Sequence, residues 1–154
     1  MTAETRPAAL PPFVQRLFPA RRGCVRSARD FTTETLRTWG LSDSVDDVRL
    51  CVSELASNAI AHGTRRGHDF LVRLCAEDDF VRLEVHDSRD GTEDRTPTVC
   101  HPADLDARGR GLLLVEAVAD AWGVERREPY GKVVWARFKG GPVRAGQLSD
   151  EAEW

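Results

Sequence analysis

The sequence predicts an α+β fold, a two-layer sandwich in which one mixed, mainly antiparallel sheet carries three helices on one face. The predicted elements follow the order helix, helix, strand, strand, loop, helix, strand, strand, which is typical of one sheet with its helices on a single side. Apolar residues recur every three or four positions in the helical segments and alternate with charged residues in the strands. The alternation predicts strands with one buried face and one face in solvent.

The composition restricts the class of protein. With 154 residues, of which 41% are hydrophobic and 31% charged, the chain fits one globular domain with its own core. A net charge of -3 gives no general attraction to nucleic acid, so we expect no direct nucleic-acid partner. No apolar run approaches a membrane span and the N-terminus lacks the order of a signal peptide, so we expect no membrane contact and a cytoplasmic location.

The first half of the chain predicts a tail, a strand and two helices. Residues 1–12 contain three prolines and are expected to form a flexible tail before a domain at 13–139. Residues 14–18 alternate as a short edge strand does, and Pro19 ends them. Apolar periodicity predicts a helix at 24–39, closed by Gly40, and a second at 44–62, closed by Gly63.

The second half predicts two hairpins around a third helix. Residues 70–75 and 80–85 alternate on either side of a turn at 78–79, and a long polar loop follows to 108. A helix is expected at 112–122 with Gly123 at its end, and then strands at 124–127 and 132–138. Residues 140–154 are expected to form a flexible C-terminal tail. The four cysteines lack the spacing of metal ligands, so we expect reduced core residues.

A polar stripe interrupts the second helix. Glu54, Asn58 and His62 are spaced i, i+4 and i+8 and lie along one side of an α-helix. A polar stripe is often only a solvated face. Here the neighbouring residues are small, whereas a free surface usually carries long charged chains, and this favours a ligand close to the stripe. The separate apolar arc that packs into the core contains Val48, Val52, Leu55, Ala56, Ala59 and Ile60.

Two further polar sites interrupt the pattern. One runs from Asp87 to Gly91 at the end of a predicted strand, and the other is Gly109-Arg110-Gly111 at the start of the third helix. A glycine-rich turn entering a helix offers free N–H groups and a positive dipole end that can hold phosphate, and Arg108 adds positive charge. Taken alone, the glycine turn is equally compatible with a simple connection.

Together the three sites resemble the N, G1 and G2 boxes of the GHKL ATP-binding superfamily. The resemblance lies in Glu54-x-x-x-Asn58, in Asp87 with the following Gly91, and in Gly109-x-Gly111-Leu112, within roughly residues 20 to 139. The compact size and the Arg108 to Leu112 segment are most similar to bacterial anti-sigma factor serine/threonine kinases. The resemblance implies the Bergerat ATP-binding fold.

The resemblance also implies roles for individual residues. Glu54 would be the general base, Asn58 the Mg²⁺ ligand and Asp87 the acceptor for the adenine amino group. The turn at 109–112 would cradle the phosphates, and the implied ATP-binding set is Asn58, His62, Asp87, Gly91, Arg108, Gly109, Arg110, Gly111 and Leu112. The chain departs from the pattern at Arg89, which replaces a glycine, and in its last strand, which lacks a threonine near the adenine.

Two functions remain open at this stage. The first is an ATP- and Mg²⁺-dependent kinase that phosphorylates a serine or threonine of an anti-anti-sigma-type antagonist and controls a sigma factor. The second is a catalytically inactive module that binds nucleotide to shape a surface for a protein partner. Glu54 favours the first, because binding nucleotide needs no proton acceptor. The sequence leaves both a monomer and a homodimer open.

Overall fold

A computed structural model describes residues 13–63, 67–87, 111–127 and 131–140 of the chain. These residues form one five-stranded sheet and three α-helices. The strands are β1 (Phe13–Pro19), β2 (Asp69–Glu77), β3 (Phe80–Asp87), β4 (Ala121–Arg126) and β5 (Lys132–Lys139). The helices are α1 (Cys24–Thr38), α2 (Val45–Asn58) and α3 (Gly111–Val118), with a short 3₁₀ turn at Ser42–Ser44 before α2.

The sheet has the strand order β1-β2-β3-β5-β4, and each of its four pairings is antiparallel. β1 is an edge strand, as its weak alternation and Pro19 predict. The hairpin of β2 and β3 turns at residues 78–79, and the register pairs Glu77 with Phe80. The predicted α+β layer structure is therefore confirmed, and the antiparallel pairing extends through every described strand.

The hydrophobic core lies between one face of the sheet and the three helices. Alternate residues of β2 and β3 point into it, as the period of two requires. α1 ends where predicted, because Gly40 has a φ of 79° and Leu41 N–H donates to the carbonyl of Leu36 over 2.8 Å, a typical helix ending. Fully buried side chains come from all three helices and from β2 and β3; they include Leu36, Val48, Val52, Phe70, Leu74, Leu83 and Val115.

The last turns of two predicted helices differ from expectation. The second helix reaches Gly63 as predicted, but it is α-helical only to Asn58 and continues as a π turn at Ala59–Gly63, where backbone hydrogen bonds span one residue more. The third helix ends at Val118, so Trp122 and Gly123 belong to β4 instead. Gly123 faces Trp135 across the sheet, and a Cβ atom there would lie 2.8 Å from the indole ring. A packing contact, and not a helix end, therefore explains this glycine.

The sheet face opposite the helices differs from a simple solvated surface. Its residues include Glu84 and His86, which are 9% and 8% exposed. The Glu84 carboxylate contacts His86 at 2.8 Å and Arg82 at 2.7 Å, and the Arg82 guanidinium also lies 4.6 Å from the centre of the Trp135 ring. The sheet face that was predicted to lie in solvent thus carries a buried charge network. Long side chains such as Arg82 lie along the sheet and cover neighbouring side chains.

The cysteine prediction holds for Cys51, which is fully buried in the core. Cys24 and Cys75 are free but only half-buried, and Cys100 lies outside the described residues. The predicted tails also lie outside them, apart from Gly140.

Candidate functional site

Glu54 and Asn58 lie one turn apart on the last two turns of α2. The helix begins with Asp46 and Asp47 in its first turn, where negative charge is favoured by the helix dipole. Both site residues are half-buried. Neither side chain makes a hydrogen bond or ion pair with another residue in the part of the chain that the structure describes. The i, i+4 pair predicted from the sequence is therefore present on a continuous stretch of α-helix.

His62 lies beyond the end of that α-helix. Its backbone belongs to the π turn, and its side chain lies outside what the structure describes. Because the turn has i→i+5 hydrogen bonds, the spacing that aligns Glu54 with Asn58 does not extend to His62. The predicted three-residue stripe is thus an α-helical pair followed by a wider turn. Single π turns are often found at functional sites.

Asp87 ends β3 on the face of the sheet that carries the helices, and it is 3% exposed. The ammonium group of Lys132 donates to Asp87 Oδ2 over 2.7 Å, and the backbone N–H of Lys132 donates to Oδ1 over 3.2 Å. Arg127 Nη1 donates to the backbone carbonyl of Asp87 over 3.2 Å. Arg127, which follows β4, and Lys132, which begins β5, therefore hold the end of β3 that is predicted to contact a ligand.

The start of α3 is the third predicted region. α3 begins at Gly111, and Leu112 is 7% exposed and packs into the core. The burial of Leu112 anchors the first turn of this helix to the domain. The other residues predicted here or in the G1 segment, namely Gly91, Arg108, Gly109 and Arg110, lie outside the described residues.

The elements that carry the three regions contact one another. α2 packs against α3 and also contacts β3, and the π turn that follows α2 contacts β3 as well. The helix with Glu54 and Asn58 therefore lies between the strand that ends in Asp87 and the helix that begins at Gly111. The three predicted regions therefore belong to elements that contact one another, although they are far apart in sequence.

The acidic residues of α2 affect the pKa of Cys51. Burial, together with the carboxylates of Asp47 and Glu54, raises the pKa of the Cys51 thiol to about 12. The thiol therefore stays protonated at neutral pH and acts as an apolar core group. Cys51 is fully buried among the core side chains, where an ionised group would be costly.

The sequence pattern did not indicate that Lys132 contacts Asp87. The residue follows Gly131, which has a φ of 94°, and opens a predicted strand. Only the register of β5 on β3 places it opposite Asp87. Pairing the two predicted hairpins with each other would have identified it, but the sequence pattern does not state which strands are neighbours.

Comparison with known proteins agrees with this arrangement. Residues 18–138 match the family described as the histidine kinase-like ATPase domain, which is most of the chain. The chain belongs to this family. It is also similar to the anti-sigma F factor of Clostridium botulinum, with 32% identity over 104 residues, which cover 63% of this chain and 72% of the relative. The anti-sigma F factor of Clostridium acetobutylicum is 33% identical over 103 residues, 63% of this chain and 71% of the relative.

Membership of the histidine kinase-like ATPase family implies that the domain binds ATP. The donor set fits such a ligand, because the site holds a carboxylate acceptor at Asp87 and a carboxamide at Asn58. Magnesium in nucleotide sites takes few protein oxygens and otherwise binds water and phosphate, so one carboxamide oxygen suits it. Within the described ranges, no three His, Cys, Asp or Glu side chains group as metal ligands, and none of the helices has the length and hydropathy of a membrane span.

Proposed function

We propose that this protein is an ATP-binding regulator that acts in the cytoplasm, as a single chain or a homodimer, and phosphorylates a serine or threonine of an antagonist protein. In the same proposal it binds a sigma factor and releases it when the antagonist takes its place. The observation that carries the kinase proposal is the half-buried Glu54, one helical turn from Asn58, on the helix between β3 and α3. The names of the relatives, anti-sigma F factors, support the regulatory part.

Glu54 is the proposed general base. A carboxylate free of ion pairs in the described part of the chain can accept the proton of a serine or threonine hydroxyl. The hydroxyl oxygen then bonds to the γ-phosphorus of ATP, and the bond from that phosphorus to the bridging oxygen of ADP breaks. Phosphoryl transfer depends mainly on position and on charge stabilisation, so the base must be held in place. The α-helical backbone around Glu54 and its packed neighbours provide this rigidity.

Asn58 and Asp87 are the proposed ligand-binding side chains. Asn58 would hold Mg²⁺ through its carboxamide oxygen, and the ion would neutralise charge on the phosphates. Asp87 would accept a hydrogen bond from the adenine amino group. Residues 109–112 would surround the phosphates with backbone N–H groups at the start of α3, with Arg108 and Arg110 beside them and with His62 and Gly91 completing the nucleotide contacts.

Two variants of α2 test this proposal. Asn58→Ala should weaken Mg²⁺-dependent ATP binding, because the ion that links the phosphates to the protein loses its ligand. Glu54→Gln should leave ATP affinity nearly unchanged and slow phosphoryl transfer by about 10² to 10⁴, the usual contribution of a general base. The measurement is ATP affinity by calorimetry, followed by a phosphorylation assay on an antagonist recovered by pull-down with ATP. Ser57→Ala, an exposed neighbour on the same helix, is the control.

The outcomes separate the kinase from a catalytically inactive module. If the wild type binds ATP and a confirmed antagonist but transfers no phosphoryl group, the kinase proposal is wrong and the module takes its place. If Glu54→Gln loses ATP binding as fully as Asn58→Ala, Glu54 belongs to the metal shell and is not the base. A wild type that binds no nucleotide would contradict both functions.

A further inference from the structure

The buried carboxylate of Asp87 forms a fixed pair with a cation. Lys132 donates to both oxygens of Asp87, through its ammonium group at 2.7 Å and its backbone N–H at 3.2 Å. The carboxylate side chain is 4% exposed, whereas the lysine side chain is 34% exposed. The lysine is therefore the more accessible partner, and a ligand that approaches Asp87 also meets an ammonium group.

The fold itself sets the position of this pair. Asp87 is the last residue of β3, Lys132 is the first residue of β5, and the two are direct partners in the antiparallel ladder. Partners in a ladder project from the same face of the sheet. The neighbouring partners Val85 and Val134 lie against the core, so the pair lies on the face that carries the helices. This is the face that the proposed function assigns to ATP.

The pair offers a base two different hydrogen-bonding groups side by side. A carboxylate only accepts hydrogen bonds and has about four lone-pair sites, so one carboxylate can accept from Lys132 and from the amino group of a base at the same time. An ammonium group only donates, and it has three N–H bonds. Adenine presents an amino donor at its 6-position, whereas guanine and hypoxanthine present a carbonyl acceptor there. A carboxylate alone would repel that carbonyl.

We propose that Lys132 is a specificity-determining residue. Its ammonium group donates a hydrogen bond to the 6-carbonyl of a 6-oxo purine, and this reduces the difference in affinity between ATP and the 6-oxo purine triphosphates. This inference rests on the proposed function, because it assumes that the base lies against Asp87. The protein then binds ATP most tightly and still accepts inosine and guanosine triphosphates. Inosine triphosphate is the sharper probe, because it has the 6-oxo group without the 2-amino group of guanine.

The test is the ratio of ATP affinity to inosine triphosphate affinity, measured by calorimetry on the full chain with Mg²⁺. We expect a ratio of at most about ten for the wild type. Lys132→Met should raise this ratio by about tenfold or more, because a hydrogen bond from a charged donor is lost. Lys132→Arg keeps a donor and should keep the wild-type ratio. Lys139→Met, the same change at the exposed far end of β5, is the matched control.

A second variant covers the case in which Lys132→Met removes the ammonium group that neutralises the buried carboxylate and the chain does not fold. Lys132→Thr retains a short hydroxyl donor for Asp87 but has no group that reaches a base, so it should raise the ratio as well. A ratio that changes less than twofold in a folded variant would overturn the inference, as would a wild type that rejects inosine triphosphate more than a hundredfold. Equal losses for all nucleotides would also overturn it, because Lys132 would then only hold Asp87 in place.

Failure of the proposed function gives a different result. In that case the wild type binds neither ATP, GTP nor inosine triphosphate, whereas failure of the inference alone leaves clear binding with an unchanged ratio.

Discussion

Glu84 is the residue whose replacement should affect stability most strongly as a function of pH. The residue is 9% exposed, and its carboxylate contacts His86 at 2.8 Å, Arg82 at 2.7 Å and Arg73 at 3.6 Å. The hydrogen bond with His86, and then those with Arg82, lower the pKa of Glu84 from 4.5 to about 2, although burial acts in the opposite direction. The native fold therefore favours the ionised form.

The size of the effect follows from linkage between protonation and folding. One pKa unit corresponds to about 1.4 kcal/mol, so the lowered pKa is equivalent to about 3 kcal/mol in the free energy of unfolding. A carboxyl group with a lowered folded-state pKa contributes this stability above its unfolded value near 4.5. The contribution falls between pH 4.5 and 2, because the carboxylate is protonated as the pH passes through its folded value.

The assay is urea unfolding of wild type and Glu84→Gln at pH 7, 4.5, 3 and 2.5. We expect the variant to be less stable by about 3 kcal/mol at pH 7, and the difference to shrink steadily below pH 4.5. Glu34→Gln, which changes an exposed glutamate on α1, is the control and should differ by less than about 0.5 kcal/mol. A difference for Glu84→Gln below about 0.5 kcal/mol at pH 7, or one that stays constant down to pH 2.5, would refute the reasoning.

Two further predictions concern the core and the sheet. Gly123→Ala should lower the free energy of unfolding by about 1 to 3 kcal/mol, because the added Cβ would lie 2.8 Å from the Trp135 ring. Gly23→Ala is the control and should have little effect, since open space surrounds Gly23. Equal effects of the two substitutions would contradict the prediction. Cys51 should resist alkylation by iodoacetamide at pH 8 in the native state, since burial first and nearby carboxylates second raise its pKa to about 12. Mass spectrometry showing Cys51 labelled as fast as the half-buried Cys24 would argue against it.

The fold could be predicted from local patterns where the pattern has one structural solution. In β2 and β3 every second residue is apolar, and an α-helix could not bury residues with that spacing on one side. The two segments therefore have to be strands, and the short turn between them makes a hairpin. The segment from Val118 to Gly123 has no such constraint, because its apolar residues suit both a helix and a strand. In the structure Gly123 pairs with Trp135 of β5, and the missing Cβ atom leaves room for the Trp135 ring. The local sequence pattern does not predict a contact between neighbouring strands.

The same distinction applies to the site. Glu54 and Asn58 are four residues apart, and their shared side of a helix follows from helical geometry alone. Lys132 contacts Asp87 from 45 residues away, and this contact depends on the register of β5 on β3. The π turn is also hidden from sequence, since a shift from i→i+4 to i→i+5 bonds changes no residue type. Residue spacing alone therefore places His62 in line with Asn58, whereas the π turn shifts it.

Substitutions at Glu54 and Asn58 can test function without a large effect on the stability of the fold. The helix contributes Val48, Val52 and Leu55 to the core, whereas Glu54 and Asn58 are half-buried on another side. Removing their polar groups leaves no cavity among the buried side chains, so the free energy of unfolding should change little. A loss of ATP binding or of phosphoryl transfer in these variants can therefore be assigned to the groups themselves. A large loss of stability would instead show that the pair supports the fold.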